Sequence, residues 1–147
     1  HVTGWKVGYV AAPAPWMAEF RKVHQFNVFT VNTPMQHGLA ATMADPSPTL
    51  ELPAFYQRKR DLFRAGLANT RFAVLPCEGT YFQCVDYSAI SGATEEEFCR
   101  HLTRDIGVAA IPLSAFYAGG FEQRIVRFCF AKKDATLIQA LERLAKL

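Results

Sequence analysis

No stretch of the sequence approaches the run of about 18 uninterrupted apolar residues that a bilayer-crossing helix needs, and the first residues lack the charged, apolar, small-residue order of a secretory signal. The expectation is a soluble, cytoplasmic protein with no membrane partner. Cysteine is scarce. The four present, at 77, 84, 99 and 129, form no C-x-x-C pair and have no histidine at ligand spacing, so neither a zinc site nor a redox dithiol is expected. They read as free, mostly buried thiols. Charge is thin as well: Lys+Arg 16 against Asp+Glu 13 gives +3, too small and too scattered to imply nucleic acid. Repeats and low-complexity segments are also missing. What is plentiful is apolar side chain, 50% hydrophobic and 13% aromatic over 147 residues, enough to bury a core and to exclude disorder, collagen and coiled coil.

The chain opens His1-Val2-Thr3-Gly4-Trp5 without an initiator Met and reads as one entered in mid-domain. Trp5 to Ala12 is small, aromatic or β-branched and suits a buried strand that Pro13 and Pro15 end. Trp16 to Gln25 is helical, with Trp16, Phe20 and Val23 on one face. Asn32-Thr33-Pro34 starts a second helix carrying Met35, Leu39 and Met43, and Asp45-Pro46-Ser47-Pro48 breaks it. Leu50 to Leu67 predicts one long helix with a stripe of Leu52, Phe55, Tyr56, Leu62, Phe63 and Leu67. Its Arg58, Lys59, Arg60 and Asp61 stand mostly outside the stripe, as a solvated face or, alternatively, a phosphate-backbone patch.

After Asn69 the character changes. Arg71–Leu75 and Thr80–Tyr87 read as strands around the turn 76–79. Thr94-Glu95-Glu96-Glu97 is a capping box opening a helix to about Ile106. Val108–Ile111 and Ile125–Ala131 are further strands, and Asp134 caps a last helix with Leu137, Ile138, Leu141 and Leu144 on one face. Residues 69–147 therefore predict an α+β unit, strands with two covering helices and a mainly antiparallel sheet.

The sharpest anomaly is Arg127, in the middle of the otherwise apolar Ile125-Val126-Arg127-Phe128-Cys129-Phe130. Alternation puts it on the face of Ile125 and Cys129. A guanidinium cannot shed its charge, so it reaches solvent, joins a structural ion pair, or serves as a fork for a ligand carboxylate. Thr3-Gly4-Trp5-Lys6 sets a glycine beside a cation, which suits a phosphate or a plain surface lysine. The four histidines are dispersed. Glu95, Glu96 and Glu97 are accounted for by the helix dipole, and Cys77 and Cys84 read as packing rather than nucleophiles.

Taken in order, five motifs resemble the C-terminal part of the class I/II pyridoxal-phosphate aminotransferases. They are Thr3-Gly4-Trp5-Lys6-Val7-Gly8-Tyr9, Val31-Asn32-Thr33-Pro34-Met35-Gln36, Pro76 with Gly79-Thr80-Tyr81-Phe82, Gly107 to Pro112 with Ser114 and Phe116, and Arg127 to Lys132. The resemblance is strongest to the bacterial methionine aminotransferase branch, near kynurenine and glutamine transaminases, and it spans the whole chain. It implies an α/β fold-type I segment. Residues 1–48 would end the large cofactor domain, 49–68 would be a linking helix, and 69–147 would form the small domain.

It further implies pyridoxal 5'-phosphate as cofactor, a homodimer, and transfer of an amino group between an amino acid (methionine, aromatic or glutamine-like) and a 2-oxo acid. The family's Schiff-base lysine falls three residues before the position of His1, so no catalytic residue is expected within these 147 and the isolated segment is expected to be inactive. Lys6 matches the position that contacts the cofactor phosphate, where many relatives carry arginine. Arg127 matches the arginine for the substrate α-carboxylate. Phe29 matches an aromatic of the substrate-pocket wall contributed across the dimer, with ordinary core as the other reading. A cysteine-conjugate β-lyase on the same scaffold, or a non-catalytic aminotransferase-like binding or dimerisation domain, stands as the alternative. A winged-helix regulator segment finds no counterpart in the sequence.

Overall fold

The computed structural model describes residues 2–147. The chain divides into two compact units, His1–Leu50 and Glu51–Leu147.

In the first unit, α1 (Ala14–Asn27) begins at Pro13 and Pro15, where a missing N–H costs nothing, and ends where Val28 N–H and Phe29 N–H both donate to the His24 carbonyl. Trp16, Phe20 and Val23 share a face, as the spacing predicts, and that face is exposed. The second helix, α2 (Thr33–Met43), is capped by Asn32, whose side-chain oxygen accepts the Met35 N–H at 3.1 Å. The expected strand over Trp5–Ala12 is not formed. Thr3–Trp5 makes a single 3₁₀ turn and residues 6–13 are irregular. A strand needs a neighbour to pair its amides with, and among the described residues nothing pairs with this segment.

The long helix α3 (Ser47–Leu67) starts three residues before the expected Leu50, directly after the Asp45–Pro46 break. The residues it buries are Lys59, Phe63 and Leu67, one every four positions, while Phe55 of the predicted stripe is exposed. Lys59 therefore does not lie on a solvated face. Its ammonium donates to the Lys132 carbonyl (2.8 Å) and to Asp134 Oδ1 (2.7 Å), and lies 4.9 Å from the Phe55 ring centroid.

The second unit is an antiparallel sheet of β1 (Ala73–Val74), β2 (Phe82–Asp86), β3 (Ile111–Pro112) and β4 (Ile125–Cys129), in the order β1-β2-β4-β3. The pairing Cys84↔Arg127 and Val85↔Val126 fixes which side chains share a face. Gln83, Val85, Val126, Phe128 and Phe130 are buried. The four apolar ones pack with Phe63 and Leu67 of α3, Phe98 of α4 (Glu95–His101), and Leu137 and Leu144 of α5 (Asp134–Leu144). Phe82, Cys84, Asp86, Ile125, Arg127 and Cys129 form the opposite, half-buried face.

The capping box holds as read, with Thr94 Oγ1 accepting the Glu97 N–H and Glu97 Oε2 accepting the Thr94 N–H. The helix continues as a π turn, Leu102–Ile106, that stops at Gly107 with φ +73, a conformation glycine adopts at no steric cost. The strand expected over Val108–Ile111 shrinks to Ile111–Pro112, because only these two residues reach the register of β4. Asp134 is not the cap of α5. Lys133 occupies that position without a side-chain bond, and Asp134 is the first helical residue, its carboxylate taken by Lys59. All four cysteines are free, but only Cys99 is fully buried; Cys77, Cys84 and Cys129 are half-buried.

Candidate functional site

Arg127 occupies the central position of β4, between Cys84 of β2 and Ile111 of β3 in the cross-strand register. Its side chain is half-buried. The guanidinium lies between two aromatic rings, 3.9 Å from the Phe82 centroid and 4.5 Å from the Phe116 centroid. Rings this close favour the cation over their faces, and the N–H groups along the edge of a guanidinium form the fork that matches a carboxylate two-for-two. Nε is buried with no hydrogen-bond partner, and no described carboxylate comes within ion-pair distance of the group. A permanent cation with an unsatisfied buried donor is costly to fold, and an anionic ligand relieves that cost. Of the three readings open for Arg127, the ion pair finds no partner among the described residues, while the half-buried side chain fits both a ligand fork and an edge that reaches solvent.

The electrostatics around it follow. Burial pushes the Cys84 thiol up from its usual range while the Arg127 charge pulls the other way, so Cys84 stays a thiol at neutral pH.

Phe116 is placed by the short 3₁₀ turn Leu113–Phe116 after β3. That turn is tied to Glu95, a fully buried carboxylate at the start of α4. Glu95 Oε2 accepts the Ser114 N–H at 2.5 Å, and Oε1 accepts the Gln123 and Ile125 N–H groups at 2.9 and 3.0 Å. Burial alone would raise this carboxyl, but the three backbone bonds together with the Ser114 hydroxyl outweigh it and hold it below the ordinary glutamate value. Neither ring on Arg127 nor the arch-holding role of Glu95 follows from the sequence reading. A capping box explains three glutamates equally, and a carboxylate whose partners lie 19 to 30 residues away has no local signature.

In the first unit, Lys6 closes the 3₁₀ turn in a left-handed conformation (φ +55), with its ammonium exposed and unpaired among the described residues. A Cβ at Gly4 or Gly8 would meet nothing within 4 Å, so the backbone on both sides of this cation is open to close approach. A free cation beside unobstructed backbone fits a phosphate group. Phe29 is also left-handed (φ +66) and is 74% exposed, so it is not core within its unit. An aromatic held in that conformation is strained by about 1–3 kcal/mol, a cost most often met at ligand sites. Lys6 and Phe29 stand in the first unit and Arg127 in the second. No helix among the described residues is long and apolar enough to cross a membrane.

Comparison with known proteins gives a consistent set. The family model described as aminotransferase class I and II matches residues 1–144. The chain is 55% identical to methionine aminotransferase of Escherichia coli over 148 residues, covering 100% of this chain and 38% of that protein. It is 32% identical to the kynurenine–oxoglutarate transaminase of Dictyostelium discoideum, covering 99% of this chain and 39% of that one. Among solved structures, Escherichia coli YbdL, for which a methionine aminotransferase function was identified, superposes with a TM-score of 0.89 at 55% identity, over 99% of this chain and 39% of that one. N-succinyldiaminopimelate aminotransferase from Mycobacterium tuberculosis superposes with a TM-score of 0.85 at 35% identity, over 98% and 38%. The chain thus spans about two-fifths of the length of the relatives it matches.

Proposed function

The chain belongs to the class I and II aminotransferases, and from that premise we propose that it is the C-terminal part of a pyridoxal-phosphate enzyme moving an amino group between an amino acid and a 2-oxo acid. Residues 1–48 end the cofactor domain, 49–68 link, and 69–147 form the small domain. The amino acid is methionine or an aromatic or glutamine-like relative, a choice supported by the similarity to a methionine aminotransferase and to a kynurenine–oxoglutarate transaminase. The working enzyme is a cytoplasmic homodimer, in keeping with the family resemblance.

Pyridoxal phosphate, when bound, supplies an electron sink for the pair left on the α-carbon after its proton departs. This chain's residues bind and orient. Arg127 takes the α-carboxylate on the edge of its stacked guanidinium, and because both faces are pinned by rings the bound carboxylate has one orientation, which fixes the α-carbon. Lys6 contributes a single-point contact to the cofactor phosphate, and Phe29 an apolar wall to the substrate pocket. On the family resemblance the lysine that attaches the cofactor is not among the six here, and Lys59 is buried and committed to Lys132 and Asp134.

The observation that carries the reading is the unpaired Nε of a ring-stacked Arg127. In the full-length enzyme, Arg127→Ala raises KM for both the amino acid and the oxo acid, at a loss of roughly 2–5 kcal/mol in kcat/KM, while the cofactor absorbance is retained. A variant with unchanged KM for both substrates would remove the carboxylate role.

A further inference from the structure

The segment joining β3 to β4, residues 113–124, carries Phe116 but has no core of its own. Residues 115–122 are all exposed, and Gly119, Gly120 and Arg124 take left-handed conformations. Its shape therefore depends on how its ends are held. Both ends are held by one side chain. Glu95 accepts the Ser114 N–H at the start of the arch and the Gln123 and Ile125 N–H groups at its close, and its own N–H donates to Glu122 Oε2 at 3.0 Å. This carboxylate is not needed to cap α4, because Thr94 and Glu97 already do so. A fully buried carboxylate with no ion-pair partner among the described residues, spent on a surface arch, needs a reason. The residue that arch delivers to the rest of the unit is the Phe116 ring, 4.5 Å from the Arg127 guanidinium.

We propose that Glu95 is a positioning residue for the carboxylate fork: by closing the 113–125 arch at both ends it sets Phe116 on Arg127, and so sets affinity for substrate without touching it. This rests on the reading of Arg127 as the group that receives the substrate carboxylate. With the arch open, the guanidinium loses one of its two stacking faces, and its edge is no longer held in one plane for a two-point contact.

The test is steady-state kinetics of the cofactor-loaded, full-length enzyme with an amino acid donor and a 2-oxo acid acceptor. Glu95→Gln keeps size and one acceptor but turns an amide nitrogen toward a backbone N–H, releasing one end of the arch. The expected result is a KM for both substrates raised roughly tenfold, with kcat changed by less than about twofold and cofactor absorbance unchanged. Phe116→Ala gives a similar rise, and the double variant is no worse than either single one, since both remove the same stack. Thr94→Ala weakens α4 without touching the arch and leaves KM unchanged, which separates positioning from a general loss of stability. If Arg127→Ala raises KM and Glu95→Gln does not, or if Glu95→Gln and Phe116→Ala add, the positioning role is overturned while the carboxylate reading stands. If Arg127→Ala itself leaves KM unchanged, both fall. Should Glu95→Gln fail to fold, Phe116→Ala decides, because at 57% exposure its truncation leaves the core intact, and an unchanged KM there overturns the proposal.

Discussion

Gly66 sits on α3 directly against Leu141 of α5, and a Cβ built there would collide with Leu141 Cδ1 and lie 2.9 Å from Cγ. Two effects compete in Gly66→Ala. Alanine gains about 1 kcal/mol of helix propensity, while overpacking a filled site costs about 1–3 kcal/mol. The clash reaches Cγ rather than only the tip of the side chain, so Leu141 cannot escape by rotating a methyl group, and the loss prevails. Gly66→Ala lowers the midpoint of thermal unfolding; an unchanged or raised midpoint would mean that α5 yields freely. The same dependence on distant partners decides which single residues can be read from sequence. Arg127 is visible because it breaks an apolar alternation that has a fixed period. Glu95 is not, since its neighbours Glu96 and Glu97 carry the same charge at the same helix end, and only the fold reveals that Glu95 alone is buried.

At the level of elements, α4 is short, seven residues before its π turn, so its start carries much of its stability. Thr94→Ala removes the acceptor for the Glu97 N–H and half of a reciprocal pair. It lowers stability by about 1 kcal/mol, seen as a lower urea midpoint with an unchanged slope. No shift in midpoint would show that Glu97 caps the helix unaided. Elements governed by such local chemistry are the ones the sequence foretells: the Asn32 cap, the break at Asp45–Pro46, the capping box and the strand around Arg127. Elements governed by a partner are not. Residues 5–12 have the composition of a strand but find nothing to pair with among the described residues, and Val108–Ile111 loses most of its length because β4 meets only its end. Lys59 belongs to the same class. Its place in a basic triplet suggests solvent, yet α3 packs so that its ammonium ties down the start of α5.

For the whole molecule, five carboxylates share one bias. Asp45 in the first unit and Asp86, Glu95, Glu97 and Asp134 in the second are all held below their ordinary values of 3.8 for aspartate and 4.5 for glutamate. The causes are hydrogen bonds from Ser47 to Asp45, from Ser88 to Asp86, from Thr94 to Glu97 and from Lys59 to Asp134; at Glu95 burial raises the value, and the three backbone bonds together with the Ser114 hydroxyl overcome it. A lowered value in the folded state means that the unfolded chain binds more protons between the two values. The stabilisation is therefore complete above the ordinary values and is lost as pH falls through the lowered ones. Four of these groups are exposed or nearly so, where solvent screening leaves them little effect, and Glu95 is the one withdrawn from water. Thermal unfolding midpoints are accordingly level above about pH 5 and fall steadily below about pH 4. Glu95→Gln, which cannot take up the proton, starts from a lower midpoint at neutral pH and shows a shallower acid decline. An acid decline as steep in Glu95→Gln as in the parent would place the proton uptake on the exposed carboxylates, and would mean that the buried clamp is not what acid releases.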